Sequence, residues 1–234
     1  EAGVACSAME KDPLPLRART LAPSLWTGPN QPSMWDLAEE ATLTPLAGRV
    51  VRHDLGRGAW VDHLPGWVSG SDAVLGVLLG DIGWRADRRQ MYEREVAVPR
   101  LLRWYGGDEE LPHPLLADAR ASLNRHYGAE LGERFVSAGM CLYRDGRDSV
   151  AWHGDRIGRG RTADTMVAIV SFGSPRPLML RPVGGGESRR YPLGHGDLVV
   201  MGGSCQRTWE HCIPKTTKPV GPRVSVQFRP RGVA

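Results

Sequence analysis

Residues 149–158, SVAWHGDRIG, set a histidine and an aspartate one residue apart at the end of a short apolar run. On an extended strand alternate side chains point the same way, so His153 and Asp155 aim at one spot while Gly154 leaves room between them. An imidazole and a carboxylate so placed serve either as two ligands for one metal ion or as a surface ion pair. A third ligand separates the two cases, and GGSCQRTWEHCIPK, residues 202–215, supplies one in His211 on another strand-like run. Two imidazoles and a carboxylate make the facial triad that holds Fe(II) and leaves three positions open, two for a bidentate 2-oxo acid and one for O2. A second His-x-Asp, His195 and Asp197, lies in the glycine turn GHGD, where the aspartate more naturally caps the turn. His53, His63, His113 and His126 have no partner at ligand spacing and read as surface or packing residues. Cys205 and Cys212 flank His211, but the further ligands of a zinc site are missing.

The last strand-like run, RVSVQFR, begins twelve residues after His211. Its Arg223, Ser225, Gln227 and Arg229 alternate and share one face. A guanidinium stays charged at any relevant pH and binds a carboxylate in a two-pronged fashion, which suits the far end of a dicarboxylic co-substrate. By itself such a strand is more often a solvated sheet edge; its place after His211 favours the co-substrate. A serine hydrolase is not supported, since no G-x-S-x-G elbow occurs.

These residues must be positioned by a chain of 234 residues and 25.6 kDa, enough for one well-buried domain. Residues 1–48, rich in Pro, Ser, Thr and Ala with no sustained period, read as a mobile N-terminal arm, with the compact domain occupying 49–234. SDAVLGVLLGDIGW has the apolar spacing of a helix with Ser71 or Asp72 as N-cap, and HPLLADARASLNRHYG that of a second helix closed by Gly128. From Phe135 onward eight short β-rich runs are separated by Gly and Pro turns, which predicts an antiparallel sandwich or barrel over 135–232. The fold class is therefore α+β, mainly β. Four cysteines without a C-x-x-C pair point to a reducing, cytoplasmic setting, and no apolar run is long enough to span a bilayer, so no membrane partner is expected. The net charge of +4 permits a polyanionic partner. Arginine accounts for all the basic residues but Lys11, Lys215 and Lys218, a bias that a GC-rich genome also produces.

Taken together, WHGD, WEHCIPK, RVSVQFR, MCLYRDGRDSVAWH (140–153) and VPRLLRWYG (98–106) resemble the AlkB-type Fe(II)/2-oxoglutarate dioxygenases over about residues 50–232. The resemblance implies a double-stranded β-helix (jelly roll) core with N-terminal helices and a nucleotide-recognition lid, here over 80–106. It implies that His153, Asp155 and His211 ligate Fe(II), that Arg223, Tyr143 and Ser225 hold 2-oxoglutarate, and that Arg229 sits near its iron-proximal end. The family's R-x-N-x-T-x-R has Ser225 and Gln227 in place of its Asn and Thr, and Cys141 stands where an Asn is common before the tyrosine, so the expectation is a co-substrate site that is either weaker or differently organised. Ile157 replaces an acidic residue that in many members senses the target base, so base preference does not carry over.

In GWRADRRQMYEREVAVPRLLRWYG aromatic rings alternate with arginines, a composition that suits stacking on an extruded base and pairing with phosphates; a buried hairpin with a solvated arginine edge would look similar. Similarity to the family's lid makes Trp84 and Tyr92 the candidates for gripping the base, with Arg100 and Tyr105 beside them. The expected activity is oxidative demethylation of 1-methyladenine- or 3-methylcytosine-type bases in DNA or RNA, single-stranded in preference, by a monomer using 2-oxoglutarate and O2. The alternatives are a small-molecule oxygenase of the same fold and a non-catalytic nucleic-acid-binding module. His153→Ala or Asp155→Ala is expected to abolish turnover and leave the fold intact; full activity of either variant in metal-stripped protein with iron added back would discard the triad.

Overall fold

The computed structural model describes residues 40–80, 82–91, 94–155 and 158–233, without the side chains of 88–91 and 94–97. The predicted arm, apart from its last nine residues, lies outside them, as do Tyr92 and Ile157. In chain order come β1 (Thr42–Leu43), β2 (Val51–Gly56), β3 (Ala59–Leu64), β4 (Val68–Ser69), α1 (Ser71–Leu79), β5 (Arg85–Met91), β6 (Arg94–Tyr105) and α2 (Pro114–Leu131). They are followed by β7 (Phe135–Tyr143), β8 (Val150–His153), β9 (Val167–Gly173), β10 (Arg176–Pro182), β11 (Arg189–Leu193), β12 (Asp197–Gly203), α3 (Cys205–Thr208), β13 (Trp209–Ile213) and β14 (Arg223–Pro230). The eight runs predicted from Phe135 onward are β7 to β14.

Among the described residues these strands form a large antiparallel sheet, β2-β3-β12-β9-β14-β7-β6-β5, and a small one, β11-β10-β13-β8. The period of two sorts the large sheet's side chains into two layers. Ala168, Val170 and Phe172 of β9 and Val224, Val226 and Phe228 of β14 pack with Val74 and Leu78 of α1 and with Leu116, Leu123 and Tyr127 of α2. The opposite parity, Val167, Ile169, Val199 and Met201, faces Leu178, Leu180, Leu193 and Ile213 of the small sheet. Two sheets closing on one another, with helices behind the larger, give the expected jelly roll. It also explains why β9 and β12 read as unbroken apolar runs rather than alternating ones: both of their faces are covered.

Local punctuation differs from the sequence reading in three places. The cap of α1 is Gly70, in the left-handed conformation at φ 61°, with no side-chain cap; Ser71 and Asp72 are its first helical residues. Helix α2 runs through Gly128 to Leu131 and stops at Gly132 (φ 73°), whose N–H donates to the Gly128 carbonyl. At the other end of α2 His113 acts as the cap, its Nδ1 accepting from Leu115 N at 3.1 Å. The packed chain also begins before Arg49: β1 pairs with β4, and Leu46 is buried in the helix-side core.

An ionic cluster ties α2 to the sheet. Arg52 on β2 donates to both carboxylate oxygens of Asp62 at 2.7 and 2.9 Å and to Glu130 at 2.8 and 3.0 Å, while the Tyr127 hydroxyl donates to Asp62 at 2.9 Å. The Arg52 guanidinium also lies 3.6 Å over the Trp60 ring, which stacks near Tyr127. Trp60 crosses the face of Gly202, and a Cβ at Gly202 would collide with the ring. Held by Arg52 and Tyr127, the indole has nowhere to swing. Gly202→Ala is therefore expected to cost about 1–3 kcal/mol, read as a fall of about 2–10 °C in the thermal midpoint; a midpoint within 1 °C of the parent would show that the ring gives way freely.

Candidate metal centre and co-substrate pocket

Strands β8 and β13 are antiparallel neighbours, and their register sets His211 directly across from His153. The two rings lie 4.3 Å apart between centroids, and Asp155, just past the end of β8, turns back so that its Oδ1 is 3.7 Å from His153 Nε2. One ligand atom from each of the three residues lies within 4.8 Å of the others. Among the described residues no other group of three or more His, Cys, Asp or Glu side chains has this geometry.

Each member is held in the form that ligates a metal. The His153 Nδ1 faces the Ala151 carbonyl at 2.8 Å, which places the ring proton there and leaves Nε2 as a lone pair directed at the centre. Burial of His211, with His153 beside it, lowers its pKa to about 3, so the imidazole stays neutral. Asp155 is 5% exposed, and although burial works against its charge, Arg229 and then the two histidines hold its pKa at about 2. Arg229 donates to Asp155 Oδ2 through Nε at 3.1 Å and through a terminal nitrogen at 3.0 Å, so Oδ1 is the oxygen turned to the metal position. Two neutral imidazoles and one carboxylate are the donor set that suits Fe(II) with open positions.

A pocket of about 70 Å3 opens from the triad between the two sheets. Its polar wall is the face of β14 that carries Arg223, Ser225, Gln227 and Arg229; its apolar walls include Val167, Ile169, Leu178, Leu193 and Ile213. Arg223, 1% exposed, donates from Nε to Ser171 Oγ at 2.9 Å and lies 5.3 Å from the Tyr143 ring centroid, yet one terminal nitrogen is buried without a partner. Burial drives the Arg223 pKa down, and a buried guanidinium short of one acceptor is a strong demand for an anion. A carboxylate carried on a chain reaching from the triad meets that demand, so the pocket fits a dicarboxylic 2-oxo acid bound between metal and Arg223.

Of the residues singled out from the sequence, the structure gathers His153, Asp155, His211, Tyr143, Arg223, Ser225, Arg229 and Arg100 around this one pocket. Ser225 is engaged sideways, its hydroxyl accepting from Gln227 Nε2 at 2.9 Å. Two residues assigned to the substrate belong elsewhere. Tyr105 is buried in the helix-side core, because on β6 it has the parity opposite to Arg100. Trp84 packs against the same core and donates its indole N–H to the Leu78 carbonyl at 3.0 Å. Trp104, paired with Gly139, is the aromatic of β6 on the pocket's face: it is 44% exposed, with the Arg229 guanidinium 6.0 Å from its ring. Counting by twos from Arg100 would have found it. Gln206, whose Oε1 accepts from the Asp155 backbone N–H at 3.2 Å, and Ser171 carried no local signal at all.

The rival pair is structural. His195 Nδ1 accepts from Gly173 N at 2.7 Å and its Nε2 faces Asp72 at 3.2 Å, while Asp197 accepts from Gly66 N and Gly194 N at 2.8 and 2.6 Å.

Comparison with known proteins agrees with this geometry. Residues 82–229 match the 2OG-Fe(II) oxygenase superfamily. The chain is 32% identical over 199 residues to human alpha-ketoglutarate-dependent dioxygenase alkB homolog 3, covering 72% of this chain and 66% of that protein. It thus spans just under two thirds of that relative's length. It is also 33% identical over 123 residues to the DNA oxidative demethylase ALKBH2 of Arabidopsis thaliana, covering 42% of this chain and 38% of that one. Among solved structures, that of OsALKBH1 superposes with a TM-score of 0.53 at 13% identity, over 76% of this chain and all of the other, a likeness of fold.

Arg223→Gln keeps the length of the side chain's first part and removes the charge. Its dissociation constant for 2-oxoglutarate, measured by calorimetry, is expected to rise about 10- to 100-fold, the worth of a charged hydrogen bond, with Arg223→Lys recovering part of the loss. An unchanged constant in Arg223→Gln would mean that the co-substrate's far carboxylate binds elsewhere.

Proposed function

The chain belongs to the 2OG-Fe(II) oxygenase superfamily, and on that premise we propose that it demethylates N-methylated nucleobases of the 1-methyladenine and 3-methylcytosine type in DNA or RNA. One observation carries the chemistry: the His153–Asp155–His211 triad and the unpartnered nitrogen of Arg223 sit in one pocket, with the ligand positions on one side and the anion position on the other. When bound, Fe(II) and 2-oxoglutarate use O2 to oxidise a C–H bond, the co-substrate leaving as succinate and CO2. The methyl carbon then carries a hydroxyl; its C–N bond breaks with the electron pair returning to the ring nitrogen as a lone pair, the hydroxyl proton passes to solvent and formaldehyde leaves.

The chain's own residues supply placement. His153, Asp155 and His211 fix the metal, and Arg229 keeps Asp155 ionised and oriented with one oxygen free. Arg223, with Ser171 and the Tyr143 ring around it, fixes the co-substrate's far end. Leu178, Leu193, Ile213 and Val167 keep the inner wall dry, so that a strong oxidant is met by substrate rather than solvent. His153, the exposed member of the triad at 38%, marks the side from which a base approaches, whereas Arg100 donates to the Ser149 carbonyl at 3.2 Å and lines the same pocket.

A nucleic-acid substrate is supported by similarity to a protein named as a DNA oxidative demethylase and by the net positive charge. A single strand is the preferred form, because a base that is already unpaired costs less to extrude. We place the activity in the cytoplasm and in a monomer.

The test is succinate and formaldehyde release by the purified chain with Fe(II), 2-oxoglutarate and O2, with short oligonucleotides that carry or lack 1-methyladenine or 3-methylcytosine. At least tenfold stimulation by the methylated strand is expected, with formaldehyde in step, abolished by chelation and restored by Fe(II). Turnover indifferent to the methyl group would move the substrate out of nucleic acid.

A further inference from the structure

Beside the pocket mouth lies a second, open groove of about 740 Å3 that the chemistry above does not use. Its inner end is the exposed Trp104 ring. From there it follows the start of β7 between α2, which contributes Arg120 and Asn124, and the segment after β14, which contributes Arg231. We propose that this groove is a track for the strand flanking the target base, with Trp104 stacking a neighbouring base and Arg134 and Arg231 pairing with successive phosphates; this rests on the nucleic-acid reading above.

Four observations carry it. First, the groove adjoins the metal pocket: Trp104 lies over Gly139 and next to Arg229, and Arg229 pairs in register with Ser137, which lines the groove. A chain threaded along it continues directly from a base presented at His153. Second, its charge is positive. Arg134 and Arg231 are exposed and have no acidic partner among the described residues, while Arg120 spends one N–H on the Val136 carbonyl at 2.9 Å. Against these stand Asp108 and, two residues on, the exposed Glu110, while Glu109 pairs with Arg103 and the nearby Glu133 with Arg159. Third, a large exposed indole at the inner end of an arginine-lined channel is the combination that holds single-stranded nucleic acid without reading its sequence, the ring taking a base face and the cations taking the backbone. Fourth, the walls are preformed. Gly158 bridges Val233, Arg159 N donates to the Gly232 carbonyl at 2.9 Å, and Asn124 clamps Phe135 through its backbone N–H and carbonyl at 2.7 and 3.2 Å. The strand therefore meets fixed charges, with little of the chain left to order on binding.

The ligand chemistry is a phosphodiester with a stackable base, which DNA and RNA share, so the experiment uses both. Affinities of 15-residue single-stranded DNA and RNA probes, each labelled with a fluorophore and each carrying one 1-methyladenine, are measured by anisotropy between 50 and 200 mM salt for the parent, Arg134→Gln/Arg231→Gln and Trp104→Ala. Succinate release without oligonucleotide is followed in parallel. Two lost phosphate contacts are expected to reduce the slope of log K against log salt by about 1.4 and to weaken binding about tenfold or more at the lowest salt. Trp104→Ala is expected to weaken binding about fivefold or more with the slope unchanged. Strand-independent succinate release should be the same in the parent and the double variant, because neither arginine touches the triad or the co-substrate position. Parent binding to one or both probes with both variants within twofold of it, slopes included, would overturn the track and leave the demethylase reading standing. A parent that binds neither probe at 50 mM salt would overturn both. The probe that binds more tightly to the parent identifies the strand whose backbone the groove takes.

Discussion

The ion pair between Arg229 and Asp155 is the contact on which the rest of the site depends. Both groups are almost wholly buried between the two sheets, where a lone charge is very costly, so each is tolerable only because the other is there. The pair also divides the labour of one carboxylate. With Oδ2 held by two guanidinium N–H groups, Asp155 cannot rotate, and Oδ1 is left facing two imidazole nitrogens. Since Arg229 rides on β14, the central strand between β9 and β7, the metal position is referenced to the most deeply embedded element of the fold.

The same strand carries a second cation that is deliberately less satisfied. Arg223 has Ser171 and the Tyr143 ring but no carboxylate of its own, and a terminal nitrogen lacks an acceptor. One strand thus presents two arginines of opposite status six residues apart: one neutralised internally to build the metal site, one left for an anion that the protein does not supply. At about 3.3 Å per residue along an extended chain, their backbone positions stand about 20 Å apart, which keeps the metal end of the pocket separate from its anion end.

Between the two arginines the residues that depart from the family pattern form their own hydrogen-bonded set. Gln227 Nε2 donates to Ser225 Oγ at 2.9 Å and to Cys141 Sγ at 3.4 Å, and its Oε1 accepts from Arg229 at 3.3 Å. Cross-strand pairing of Ser225 with Cys141 makes this closure possible. The substitutions read as losses one at a time, yet together they satisfy one another, so the pocket floor stays polar while its contacts run along the sheet.

The sequence by itself determined whatever depends on spacing within one strand. His153 and Asp155 are two apart, and Arg223 to Arg229 step by twos, so their shared faces follow from the geometry of an extended chain, and the turn residues after Phe135 marked all eight later strands. His211 was legible because its residue type and its strand completed a known donor set. Tertiary structure decided what depends on register between strands distant in sequence. Which face of β6 meets the pocket is fixed by pairing with β7, and that placed Trp104 at the mouth and Tyr105 in the core. Ser171 and Gln206, which hold Arg223 and the Asp155 backbone, came into reach only when β9 met β14 and α3 met the metal loop. Periodicity is written into a strand by its own residues, whereas register is the outcome of many weak contacts between partners, so the first can be read along the chain and the second only from the folded molecule.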